Sequence, residues 1–105
     1  MTSLKHKYKA IPTEIDDIKF HSKKEALRYA ELKLLNKNGE VIFFLMQVPF
    51  HLPGGIKYIC DFQVFWSDGK ITFEDVKGYK TLLYKTKKKM VESLYPIEIV
   101  EFRTI

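Results

Sequence analysis

The chain has 105 residues, 46% of them apolar and 30% charged, with 18 basic against 13 acidic side chains for a formal net charge of +5. That length suits a single domain able to bury its own core, and a lone cysteine, Cys60, excludes an internal disulfide or a thiolate zinc cluster. No stretch approaches the roughly 20 apolar residues of a membrane span, and the basic start from Met1 to Lys9 has no apolar segment behind it, so a cytoplasmic protein without a secretory leader or membrane partner is expected.

Residues 1 to 10, carrying Lys5, Lys7 and Lys9, read as a basic arm. Thr13-Glu14-Ile15 and Ile18-Lys19-Phe20 flank Asp16-Asp17 as a short hairpin. Ser22-Lys23-Lys24-Glu25 is a capping-box pattern opening a helix whose inward stripe is read as Leu27, Ala30 and Leu34, with Gly39 as its left-handed stop. Val41 to Val48 is nearly all apolar and is expected as a strand buried on both faces, ended by Pro49. After the turn at Leu52-Pro53-Gly54-Gly55, residues 56 to 66 alternate. Ile56, Tyr58, Cys60, Phe62, Val64 and Trp66 are apolar on one side, with Lys57, Asp61 and Gln63 on the other. Ser67-Asp68-Gly69-Lys70 turns the chain back into a strand over Ile71 to Lys77, antiparallel to the one before it. Thr81 is placed to cap a second helix running to about Tyr95, with Leu83, Lys87, Met90 and Leu94 on its inward side. Ile97 to Phe102 is the final strand after Pro96.

The chemistry gathers on the antiparallel pair. A side-chain period of two puts Asp75 and Lys77 on one face of their strand, and strands lie about 4.8 Å apart, so Asp61 can stand beside them. Glu74 points to the opposite side by the same period. Two carboxylates and an ammonium can hold a hard divalent cation with a positive charge next to it, as phosphodiester hydrolysis requires.

The order αβββαβ, with an acid on the first helix, an Asp on the second strand and Asp-x-Lys on the third, resembles the core of the PD-(D/E)xK nuclease superfamily. That group includes restriction endonucleases and Holliday-junction resolvases. Lys19 to Ala26, Asp61-Phe62 and Glu74-Asp75-Val76-Lys77-Gly78 are together similar to a small family of phage and prophage proteins. The resemblance covers nearly the whole chain from Lys7 onward. It implies an α+β, restriction-endonuclease-like fold with a central mixed sheet flanked by helices, in one domain over 1–105. It also implies an Mg²⁺- or Mn²⁺-dependent DNA endonuclease leaving a 5′-phosphate and a 3′-hydroxyl.

By position, Asp61, Asp75, Lys77 and Glu25 would be the catalytic set. Asp61, Asp75 and the carbonyl of Val76 would hold the metal, with Glu25 acting through water or on a second ion. Cys60 stands where the superfamily's signature has a proline. The DNA contacts would come from Lys5, Lys7, Lys9, Lys23, Lys24, Gln63, Lys80, Thr81 and Lys87, with Tyr8, Tyr79 and Tyr84 able to stack on unpaired bases. The substrate expected is branched DNA cut by a homodimer, with no small-molecule substrate.

Plainer readings stand beside these. Glu25 can be half of a capping box and no more; Asp75 and Lys77 can be an exposed ion pair; Lys87 can simply snorkel. His6, His21 and His51 are too scattered to suggest zinc. A sequence-preferring nickase or restriction-like nuclease, or a DNA-binding accessory protein without turnover, also fits.

Overall fold

The computed structural model describes residues 13–76 and 80–102. Its elements in chain order are β1 (Thr13–Ile15), β2 (Ile18–Phe20), α1 (Lys23–Lys37), β3 (Val41–Leu52), a 3₁₀ turn (Pro53–Gly55), β4 (Ile56–Trp66), β5 (Ile71–Val76), α2 (Leu82–Leu94) and β6 (Ile99–Phe102). β1 and β2 form a separate two-stranded sheet, and the main sheet runs β3-β4-β5-β6. β3, β4 and β5 are antiparallel neighbours, whereas β5 and β6 are parallel, joined by the helical crossover that parallel pairing requires. The result is a mixed α+β architecture with the main-element order αβββαβ.

Local signals place the element ends. The β1–β2 turn is made by Asp16 and Asp17 with φ of 54° and 63°, the left-handed pair of a tight hairpin, and Asp16 Oδ2 accepts a 2.8 Å hydrogen bond from the Tyr29 hydroxyl. Ser22 caps α1 by accepting from the Glu25 N–H, and Thr81 caps α2 by accepting from the Tyr84 N–H. Gly39, at φ 85°, turns the chain out of α1 where a side chain would be strained.

Both helices are rotated about one residue from the expected stripe. On α1 the buried positions are Glu25, Ala26, Tyr29 and Leu32, while Leu27 and Leu34 are 59% and 58% exposed and Ala30 is exposed with them. On α2 the buried residue is Val91, with Tyr84, Met90 and Tyr95 packed beside its cluster; Met90 lies inward as expected, whereas Leu83 is 64% exposed and Leu94 is also exposed. A one-residue shift is about 100° of helix rotation, enough to swap an inner face for an outer one. The tyrosines win because each buries a ring while its hydroxyl finds an acceptor, Glu101 for Tyr84 and the His51 carbonyl for Tyr95.

β3 differs from expectation in two ways. It continues through Pro49 to Leu52, and it is covered on one side only, with Ile42, Phe43 and Leu45 exposed. Both follow from its place at the sheet edge, where a missing N–H breaks no ladder and, among the described residues, no further strand or helix closes the outer face.

The inward side of the β3–β4 hairpin is shared between two cores. Phe62 and Val64, with Phe44 and Met46, pack with Ala26, Tyr29 and Leu32 of α1. Tyr58, Cys60 and Phe50, with Val48, pack instead with Val91 of α2 and Ile99 of β6. The changeover falls at Gln47, whose φ of 55° breaks the regularity of β3, and at Asp61 opposite it on β4.

Candidate active site

Asp61 and Asp75 meet where β4 and β5 part. Backbone pairing runs from Phe65↔Ile71 to Phe62↔Glu74 and goes no further. At the next position carboxylates replace the ladder: Asp75 Oδ1 accepts from the Asp61 N–H at 2.9 Å, and Asp61 Oδ2 accepts from the Val76 N–H at 2.9 Å. Each acid is oriented by the other strand's backbone. Bonds from neutral amides fix a carboxylate without cancelling its charge. Asp75 is fully buried and Asp61 half-buried.

Glu25 reaches the same place from the start of α1. It is 6% exposed, and Gln47 links it to β4: Nε2 donates to Glu25 Oε2 at 3.0 Å and stands 3.5 Å from Asp61 Oδ1. The helix cap is therefore present in Ser22, yet one carboxylate oxygen of Glu25 is turned across to β3. A cleft of about 120 Å³, bordered by Lys19, His21, Glu25 and Gln47, opens beside it.

Glu74 points the other way. It is 1% exposed and held by the Arg28 guanidinium, with Nε and Nη2 each donating at 2.8 Å to separate carboxylate oxygens. Arg28 also reaches Glu31 and lies 4.2 Å from the centroid of the Phe102 ring. Burial works against the Arg28 charge, but its carboxylate partners outweigh it and its pKa is raised. Cys60 is buried beneath the acid pair, and burial pushes its thiol up to about 12, which makes it inert as a nucleophile at neutral pH.

Other expected contacts are distributed more widely. Lys80 is paired with Glu101 at 2.7 Å, and the Tyr84 hydroxyl donates to the same carboxylate. These hydrogen bonds, that from Lys80 foremost, hold the Glu101 carboxyl below its ordinary range. Thr81 is occupied as the α2 cap, Lys87 is half-buried on α2, and Gln63 is half-buried on β4, sharing Asp61's side by alternation. Lys23 and Lys24 open α1 on the end that carries Glu25. Lys5, Lys7, Lys9 and Tyr8, with Lys77 and Tyr79, lie outside the described residues.

Gln47 and Arg28 were not expected at these positions. Gln47 had a sequence signal, as the single polar residue between Val41 and Val48. Arg28 had none, since its partner is 46 residues away.

Among the described residues no group of three or more His, Cys, Asp or Glu side chains is close enough to hold a metal. Two oriented carboxylates and the Val76 carbonyl are nonetheless a hard, all-oxygen donor set. Mg²⁺ is commonly held by one or two carboxylates plus waters and substrate phosphate, so the residues present fit such an ion. Fold and site together define a small mixed α+β protein with a pair of oriented acids at a strand divergence. The chain belongs to the family described as protein of unknown function (DUF1064), whose model matches residues 5–102. No curated protein matches it. Among the described residues, no helix is long and apolar enough to cross a membrane.

Proposed function

We propose that the protein is a divalent-metal-dependent DNA endonuclease of the PD-(D/E)xK kind, acting on branched DNA in the cytoplasm of a phage-bearing host. The observation that carries this reading is the reciprocal clasp of Asp61 and Asp75 at the end of the β4–β5 ladder. Ordinary antiparallel strands continue pairing through their backbones; here two acids take over that task and concentrate negative charge in one spot. The basic surplus of the chain supports a polyanionic substrate.

In this reading Asp61 and Asp75, with the Val76 carbonyl, hold Mg²⁺ or Mn²⁺. When bound, such an ion supplies Lewis acidity toward a phosphodiester and its attacking water. The protein's own contribution is orientation. The Asp61 and Val76 amides fix the carboxylates in advance, and Gln47 sets Glu25 beside them, where its carboxylate can hold a water by hydrogen bond. The water oxygen bonds to phosphorus and gives up one proton to solvent by way of Glu25 as the bond to the 3′ oxygen breaks, and the 3′ oxygen takes a proton from solvent to leave as a hydroxyl. Lys77 keeps the role its Asp-x-Lys spacing suggests, offsetting charge that grows on the phosphate. Cutting both strands of a junction takes two sites, so two copies act together.

The test is cleavage of labelled four-way junctions, flaps and linear duplex in Mg²⁺, Mn²⁺ or EDTA, with Asp75→Ala alongside. Metal-dependent cutting that Asp75→Ala abolishes is expected. DNA binding without cleavage on any substrate would favour the accessory-protein reading. Dependence on arm sequence rather than on branching would favour a sequence-preferring nickase.

A further inference from the structure

A larger cavity, about 230 Å³, lies between β4 and the start of α2, and none of the clustered acids lines it. β4 contributes Lys57, Tyr58 and Ile59; α2 and its cap contribute Thr81, Leu83, Tyr84 and Lys87. Its walls are mostly apolar and aromatic, with the Tyr58 and Tyr84 rings 6.2 Å apart. Its rim carries two ammonium groups. Among the described residues neither Lys57 nor Lys87 takes part in an ion pair, whereas the nearby Lys80 and Lys88 both do. Lys57 is exposed on the strand and Lys87 half-buried on the helix.

Tyr58 itself is 4% exposed, with its hydroxyl sealed from solvent and without a hydrogen-bond partner among the described residues, so it forms the floor of the cavity. The 13-residue α2 also begins at the cavity's edge, where its cap Thr81 and first-turn residues Leu83 and Tyr84 line it. Two cations, a helix start and flat apolar walls together suit an anion joined to a planar, weakly polar body.

Position along β4 identifies the source of that ligand. Ile59 precedes Asp61 by two residues on the same side of the strand, a separation of about 7 Å. A nucleic-acid strand with one phosphate at the acid pair is therefore within reach of this cavity. The geometry points to a subsite for one unpaired nucleotide of the substrate strand, its phosphate between Lys57 and Lys87 and its base against Ile59, Leu83 and the tyrosine rings. The identity of the polymer rests on the nuclease reading. A base-paired duplex has no free base to offer, so the cavity would give the protein its preference for branches, flaps or gaps.

The experiment measures binding without cleavage, by fluorescence anisotropy of a labelled single-stranded oligonucleotide and a blunt duplex of the same sequence in EDTA. The wild-type chain is expected to prefer the single strand. Lys57→Ala/Lys87→Ala should weaken single-strand binding at least tenfold and duplex binding less than threefold. Lys85→Ala/Lys89→Ala removes the same charge from exposed positions of the same helix and should cost less than threefold on either. Equal losses in the two double variants, or on the two nucleic acids, would overturn the subsite and leave diffuse charge attraction. If the wild-type chain cuts nothing but keeps a single-strand preference that Lys57→Ala/Lys87→Ala removes, the nuclease reading fails and the subsite stands. Cleavage without that preference has the opposite meaning.

Discussion

Glu74 and Asp75 are adjacent in sequence and equally buried on β5, and the fold treats their charges in opposite ways. Glu74 faces α1, where Arg28 meets it with two parallel hydrogen bonds and Phe102 covers the guanidinium. Asp75 faces a second acid, and the two are oriented by backbone amides across the gap between strands. The first arrangement neutralises a buried charge within the protein and is structural. The second sets two acids side by side in a fixed geometry, the arrangement on which the proposed metal site rests.

The comparison can be broken most sharply at the acid pair. Asp61→Asn or Asp75→Asn should lower the rate of junction cleavage about 10³-fold or more, about 4 kcal/mol of barrier. Asp61→Asn should leave the folding free energy within about 1 kcal/mol of wild type in metal-free buffer, since the amide oxygen can still accept from Val76. An Asp61→Asn chain that unfolds on its own would make the pair structural.

On the other side of β5, Arg28→Met should cost about 3–5 kcal/mol in urea unfolding, because it strands Glu74 in an apolar setting. Adding Glu74→Gln to that variant should restore much of the loss; no recovery would mean that Arg28 acts through packing rather than charge. Mn²⁺ at 100 times its dissociation constant should stabilise the wild-type chain by about 2.7 kcal/mol, and the shift should disappear in Asp61→Asn while surviving in Arg28→Met. Thr81→Ala, away from both regions, should cost about 1 kcal/mol as a lost helix cap.

The smallest effect concerns pH. Glu101 has its carboxyl lowered on folding, so its contribution is present above the ordinary carboxylate range and lost as pH falls through the lower folded value. Unfolding curves for wild type and Glu101→Gln should therefore separate at neutral pH and converge in acid. A gap that persists unchanged into acid would remove the Lys80–Glu101 pair as its cause.

Much of the architecture was legible because its signals are local. Ser22 and Thr81 could be read as caps, Asp16-Asp17 as a turn, and residues 56 to 66 as a half-buried strand, since each depends on neighbours within a few positions. The pairing of Asp61 with Asp75 followed from one short hairpin whose turn sets the register. The helix faces were misread because each sequence supports two stripes about 100° apart. Leu27 and Leu34, or Leu83 and Leu94, look more apolar than the tyrosines that pack inward, Tyr29 buried and Tyr84 and Tyr95 half-buried. The extent of β3 was misread because a proline that would end a central strand is harmless at an edge, and edge position is a property of the whole sheet.

From the amino-acid order alone came the αβββαβ succession, the antiparallel pair that carries the two aspartates, and the opposite aims of Glu74 and Asp75. All of these depend on periods and turns spanning fewer than about twenty residues. Tertiary structure alone decided that Arg28 silences Glu74, that Gln47 ties Glu25 to Asp61, and that Lys57 and Lys87 frame one cavity. Those contacts join residues between 14 and 46 positions apart. At such separations the packing of helix on sheet, not the chain's local preference, determines which side chains meet.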